Sequence, residues 1–211
     1  MHILLTDVLT CPRCGPNFGL ILLSDELNDR QVVRGHLGCP NCRQSYPIAA
    51  GVADLRQESE QSAAPRSGSP AEDSERAYRL AALMGVTMAN ANLLIVDADG
   101  ALPPQVGAIL PQAHVIGCSA DVAAESGGEG FVSRVLINGL LPFRNGSVRG
   151  AAYVGIFSHE LAREAARVLM PLARLVVDSA GEEAGEVVRS LGFEVQLEQD
   201  KVVVAAAPGA G

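Results

Sequence analysis

Four cysteines in two close pairs constrain this chain more than any other feature. Cys11-Pro-Arg-Cys14 and Cys39-Pro-Asn-Cys42 are separated by 24 residues. Two cysteines with two residues between them can place both sulfurs on one ion from a single tight turn, and a tetrahedral ion then needs a second pair. Pro12 and Pro40 stiffen the two turns, and Gly15 can take the positive φ that a knuckle exit often requires. The expected cofactor is therefore one structural zinc held by Cys11, Cys14, Cys39 and Cys42. Four thiolates leave no open position for water or substrate, which argues against a catalytic metal. His36 lies near Cys39, but the frame is already full, so it reads as a solvent-facing strand residue. The alternatives are two disulfides or four free thiols. No signal peptide precedes the cysteines, so a reducing, cytoplasmic compartment is expected.

The flanking residues predict the rest of a small domain. Leu4, Leu5, Val8 and Leu9 recur at helical spacing. Leu20, Leu22, Val32 and Leu37 predict a hairpin across the polar stretch Ser24 to Asp29. The exit reads Tyr46-Pro47-Ile48 and then Gly51-Val52, ending at Leu55. With both knuckles and the Leu-Leu-x-x-x-Leu-x-Cys-Pro entry, residues 2–55 resemble the small zinc-ribbon activator subunit of tRNA and release-factor methyltransferases and its short bacterial relatives. In that family the ribbon docks on a methyltransferase and stabilises it, so the resemblance implies a docking role here. A ~55-residue unit cannot bury Leu20, Leu22, Val52 and Leu55 alone. These residues are expected to pack on the remainder of the chain, on another copy, or on a separate protein partner. Replacing Cys39 by Ser is expected to unfold the ribbon and leave the second domain largely folded.

The chain has 211 residues, room for one medium domain besides the ribbon. Its formal net charge is -8, and four thiolates around one divalent ion would add about two more negative charges. Such a surface does not coat a phosphate backbone unaided, so direct nucleic-acid binding is not expected. No apolar run approaches the ~20 residues of a membrane helix. Residues 56–75 are rich in Ser, Pro, Gly and acidic residues and lack large apolar side chains, which marks a linker. The expected organisation is a ribbon over 1–55, a linker over 56–75, a second domain over 76–208 and a tail over 209–211.

From Arg76 the pattern alternates between helix and strand. Helices are predicted over Ala77 to Met84, from a Ser158 cap through Leu169 with Pro171 ending it, and from Glu182 to Leu191 with Gly192 after it. Strands are predicted at 93–97, 114–117, 134–137, 150–154 and 174–178. Val195 to Leu197 and Val202 to Ala206 can close the sheet as an antiparallel pair. The expected fold class is α/β: a zinc ribbon of a short helix and hairpins, followed by a Rossmann-like, mainly parallel sheet with helices on both faces. Leu141-Pro142-Phe143-Arg144-Asn145-Gly146-Ser147-Val148, with Arg163 to Pro171 and Arg174 to Val177, resembles the later blocks of class I S-adenosylmethionine-dependent methyltransferases. The resemblance covers residues 77–207, and Gly192-Phe193 matches the family's entry into its reversed last strand.

The departures from that family bear on function. A Gly-x-Gly-x-Gly cofactor loop should follow the first strand, because only glycine lets the backbone approach closely there. The corresponding stretch is Asp97-Ala98-Asp99-Gly100-Ala101-Leu102-Pro103-Pro104, with one glycine and two prolines that lack donors. Cys118 lies near the place of the ribose-binding acid, and Asn138 near the adenine-side acid. If any residues contact the cofactor, they are Asp97, Asp99, Gly100, Cys118 and Asn138. Cys118 otherwise reads as a small core residue and His159 as an ordinary first-turn histidine, so no catalytic residue is assigned. Three readings stand. The first is a non-catalytic scaffold that binds a protein partner, or associates with itself, through the ribbon in translation or RNA modification. The second is an active methyltransferase carrying its activator in the same chain. The third is a nucleic-acid-binding zinc module, which the acidic charge disfavours most. The altered loop favours the first over the second.

Overall fold

The computed structural model describes residues 1–56, 70–97, 102–120, 131–155, 157–179, 181 and 183–209. A 3₁₀ turn over Ile3–Asp7 takes the place of the predicted short helix. Strand β1 (Thr10–Cys11) pairs antiparallel with β2 (Gly15–Gly19) around the first knuckle. A meander follows, formed by β3 (Ile21–Asn28), β4 (Gln31–Gly38), β5 (Ser45–Ala49) and β6 (Val52–Asp54). The polar stretch expected as a turn is mostly strand. Ser24 to Asn28 belong to β3, and only Asp29 and Arg30 turn, both at positive φ. The residues are polar because β3 is the outer edge of the sheet. Its bulges near Ser24 and Glu26, with acids beside them, blunt that edge against further pairing.

The second unit begins with α1 (Pro70–Met84), so the helix extends back into the stretch expected as linker. It continues with β7 (Asn92–Asp97), α2 (Leu102–Ile109), β8 (His114–Ser119), β9 (Val132–Leu136), β10 (Val148–Val154), α3 (His159–Val168), β11 (Leu169–Asp178), α4 (Ala184–Ser190), β12 (Glu194–Gln199) and β13 (Val202–Ala206). Helix α3 ends three residues before Pro171. Gly146 and Ser147 donate their backbone N–H groups to the carbonyls of Arg167 and Val168, and Leu169 is already extended. Helix and strand residues alternate as a parallel sheet requires. Leu93, Ile95, Val115 and Val176 pack with Leu80 and Met84 of α1 and Leu102 and Val106 of α2. Leu94, Ile116, Leu175 and Val177 pack on the opposite face with Ala165 and Val168 of α3 and Val188 of α4.

The two units share one sheet. Eleven strands run in the order β12-β13-β11-β10-β7-β8-β9-β6-β5-β4-β3. The joint is the pairing of β6 with β9, which is parallel: Val52, Ala53 and Asp54 lie opposite Arg134, Val135 and Leu136. The core is continuous across it, since Leu5, Leu9, Leu37, Ile48 and Leu55 of the ribbon cluster with Leu94, Val135, Phe143 and Tyr153. Residues 137–147, between β9 and β10, form no helix, and the ribbon covers the sheet on that side. Thr10 donates to the Pro142 carbonyl at 2.8 Å, and Arg144 donates to the Val8 carbonyl at 2.9 Å. Arg167 holds this loop from behind, donating to the carbonyls of Leu141 (2.7 Å) and Phe143 (2.6 Å), while Glu164 accepts from the Leu141 N–H at 3.0 Å.

A buried polar chain crosses the same joint at the N-terminal ends of the parallel strands. The His2 N–H donates to Ser133 Oγ (2.9 Å), and Ser133 Oγ lies 2.8 Å from His114 Nε2. His114 Nδ1 lies 3.2 Å from Asn92 Oδ1, and Asn92 Nδ2 donates to the Ser147 carbonyl at 3.2 Å. One tautomer satisfies every link: Ser133 donates to Nε2, and Nδ1–H donates to Asn92. The His114 ring also stacks on Phe131. Burial first, then the positive charges of His2 and the N-terminal amine, hold the imidazole down at about 3.

The shared core revises the expectation that the second domain survives loss of the ribbon. Leu55, 1% exposed, closes the joint beyond β6. Leu55→Ala should cost about 2–5 kcal/mol, and the protein should still unfold in one transition. Denaturant unfolding followed by two probes, one in each unit, checks this; separated transitions would contradict a common core. His114 makes a second prediction. An unfolded histidine titrates near 6.5, so this group costs no stability above that pH and progressively more as pH falls from 6.5 toward 3, by up to about 1.4 kcal/mol per unit. A His114→Gln variant should show a flatter acid limb in stability measured against pH.

Candidate metal centre and cofactor-side residues

The first knuckle forms because the chain turns between β1 and β2, with Gly15 at φ 86. The second turns between β4 and β5, where the Cys39 N–H donates to the Gln44 carbonyl and Arg43 donates back to the Cys39 carbonyl. The meander carries the two turns to one place. All four sulfurs lie within 4.8 Å of one another. Cys11 Sγ is 3.7 Å from Cys42 Sγ, and Cys39 Sγ is 3.9 Å from Cys14 Sγ. A tetrahedron with Zn–S bonds of ~2.3 Å has edges of ~3.8 Å, so the spacing fits a zinc ion. None of the four forms a disulfide. Cys11 and Cys39 are buried, and Cys14 and Cys42 are half-buried. His36 stays out of the cluster: it is exposed on β4 and lies 3.9 Å from Asp25.

The centre sits beside the joint through Leu9 and Thr10, which immediately precede Cys11 and bond the 141–144 loop. The C-terminal end of β6 carries an ion pair of its own. Burial raises the Asp54 carboxyl, but the Arg56 bonds outweigh it and leave the group below its usual range. Arg56 holds both Asp54 oxygens, at 2.9 and 2.6 Å, and donates to the Ala120 carbonyl just past β8. Sequence reasoning did not single out this clamp. Its signal, an Asp-x-Arg pair at the end of a strand, is too common to notice without the neighbouring strand.

Among the described residues, the other sequence-derived positions lie on separate elements. Asp97 is the last residue of β7, while Asp99 and Gly100 lie outside the described residues. Cys118 is buried among Leu94, Ile116 and Val135 on the α3 face, and burial pushes its thiol up. Its side chain is in the core, and the residue that ends β8 is Ser119. Asn138 is exposed just past β9. His159 is exposed in the first turn of α3, behind the Ser158 cap. Pro103 and Pro104 stand in the first turn of α2 and not in a loop. A Cβ on Gly117 would meet Pro103 Cγ at 2.5 Å, so the proline ring rests directly on β8.

Residues 2–51 match the family model of the Trm112p-like proteins. No curated protein matches the chain. The structure of the [4+2]-cyclase SpnF is similar at a TM-score of 0.56 and 15% identity, over 70% of this chain and 85% of that one. The complex containing the Trm112 methyltransferase activator of Haloferax volcanii is similar at 0.46 and 14% identity, over 66% of this chain and 95% of that one. A TehB-like SAM-dependent methyltransferase from Corynebacterium glutamicum is similar at 0.46 and 15% identity, over 66% of this chain and all of that one. The chain thus carries a Trm112-like N-terminal domain with a cysteine cluster able to hold a metal, joined to a Rossmann-like, mainly parallel α/β sheet. No helix among the described residues is long and apolar enough to cross a membrane.

Elemental analysis of the purified protein should find one zinc per chain. Structural zinc in such frames contributes on the order of 10 kcal/mol. Because the ribbon and the sheet share a core, Cys39→Ser should lower the melting temperature of the whole chain. A variant that keeps the wild-type melting temperature would count against this.

Proposed function

We propose that this protein is a zinc-stabilised, non-catalytic methyltransferase-like scaffold, with its ribbon docked in cis, that binds a protein partner of RNA modification or translation in the cytoplasm. One observation carries the reading. The first turn of α2 is where the fold offers backbone N–H groups to a ligand, and here it presents Leu102-Pro103-Pro104. Two of those three residues have no N–H, and the Pro103 ring packs down on Gly117. Proline is well tolerated in a first helical turn, so the substitution preserves the helix while removing ligand donors. Two further features agree with it. Ser119, not an acid, ends β8, and Asn138 follows β9. S-adenosylmethionine does not fit this residue set. Zinc does fit. Its holders would be Cys11, Cys14, Cys39 and Cys42, and its work would be to fix the ribbon against the sheet.

The partner class follows from the Trm112p-like match and from the docking role that the ribbon's resemblance implies. The four close, unpaired thiols suit a reducing compartment. A second reading has its own support. A Trm112-like ribbon paired with the edge strand of a methyltransferase-like sheet is the arrangement expected of an activator fused to its enzyme.

Calorimetry separates the two. Each missing contact costs about 1–3 kcal/mol, so the loss of several should leave S-adenosylmethionine and S-adenosylhomocysteine without measurable binding. A dissociation constant of about 100 µM or tighter would overturn the scaffold and restore the enzyme.

A further inference from the structure

Two side chains that are not ligands point at the sulfurs of the first knuckle, and both come from the second half of the ribbon. Tyr46 Oη lies 3.5 Å from Cys11 Sγ, and Asn41 Nδ2 lies 3.3 Å from Cys14 Sγ. Tyr46 is on β5 and 3% exposed, with its ring in the core beside Leu37 and Ile48. Asn41 is exposed, between Pro40 and Cys42 in the second knuckle. A thiolate bound to a metal carries no proton, so in both contacts the sulfur must accept and the tyrosine or amide must donate. Four thiolates around one divalent ion leave a net charge of about -2. Cys11 is fully buried, where uncompensated charge is costly.

We propose that Tyr46 and Asn41 are positioning residues of the metal centre: outer-shell hydrogen-bond donors that hold Cys11 and Cys14 as ligands and slow the release of the ion. The inference rests on the zinc reading above. Outer-shell partners orient ligands and tune their basicity, and losing one typically costs 10–100-fold in metal affinity. The two donors are not equal. Water can replace the exposed Asn41 amide, whereas nothing replaces the buried Tyr46 hydroxyl. The Tyr46 bond also ties the metal to β5, the strand that leads directly into β6 and the joint.

The test uses the full chain. Metal content is measured first, then the rate of zinc transfer to a chromogenic chelator. Tyr46→Phe keeps the ring and its packing, and should speed release about 10–100-fold. Asn41→Ala should speed it less. Both variants are also loaded with cobalt. Losing a donor makes the thiolates more electron-rich, so the thiolate-to-cobalt charge-transfer band should move to lower energy in Tyr46→Phe. Equal release rates in wild type and Tyr46→Phe would overturn the inference while leaving the zinc site intact. Faster release with an unmoved band would mean a packing effect only, and would overturn it too. Wild-type protein without metal would overturn the zinc reading and this inference together.

Discussion

The structure depends on three residues of strand. Val52, Ala53 and Asp54 pair in parallel with Arg134, Val135 and Leu136, and through them a four-stranded ribbon meander becomes the flank of a seven-stranded Rossmann-like sheet. An edge strand exposes a row of unpaired backbone groups, and β9 would be such an edge without β6. The ribbon has the matching need, since it carries more apolar surface than ~55 residues can enclose. Each unit completes the other. Because 137–147 forms no helix, the face of the sheet that a crossover would normally cover is covered by the ribbon's core residues.

Around this pairing, polar groups set the register. The chain from His2 through Ser133, His114 and Asn92 to Ser147 pins the N-terminal ends of the strands, and the Asp54–Arg56 clamp reaching Ala120 pins the other rim. Arg167 and Glu164 hold the 141–143 loop against which Val8 and Thr10 bond. Buried polar groups of this kind cost free energy unless every member has a partner. Here a one-residue slip of β6 would strand several of them at once. It would also turn the ribbon's apolar residues away from the core.

The metal frame and the first turn of α2 both lie toward the C-terminal edge of the parallel strands. The four sulfurs have the spacing of a filled tetrahedron, while the first turn of α2 offers prolines where donors would be wanted. These are the two features on which the proposed scaffold rests. The Trm112-like ribbon is built into the sheet itself, so a partner would meet the two units as one body.

Much of this was legible in the residues. The two Cys-x-x-Cys pairs specify the frame because ligand chemistry is local: each pair needs only a tight turn, and four thiolates need only each other. The strands of the second unit were legible because burial on both faces forces short, continuous apolar runs such as Leu93 to Val96. Ser158 and Gly192 mark helix ends by side-chain capping and by positive φ, both properties of single residues. What the residues could not determine depends on neighbours remote in the chain. Ser24 to Asn28 look like a turn and are strand, because strand pairing is decided by β4 and not by their own polarity. Helix α3 stops at Val168 because Gly146 and Ser147 take its last carbonyls. Cys118, whose core reading its burial matches, shares a face with Ile116 because residues two apart on a strand point the same way. That β6 would find β9, and that Tyr46 would reach Cys11, follows from folding alone: each contact joins groups whose individual sequence signals are ordinary and whose meaning is only their distance.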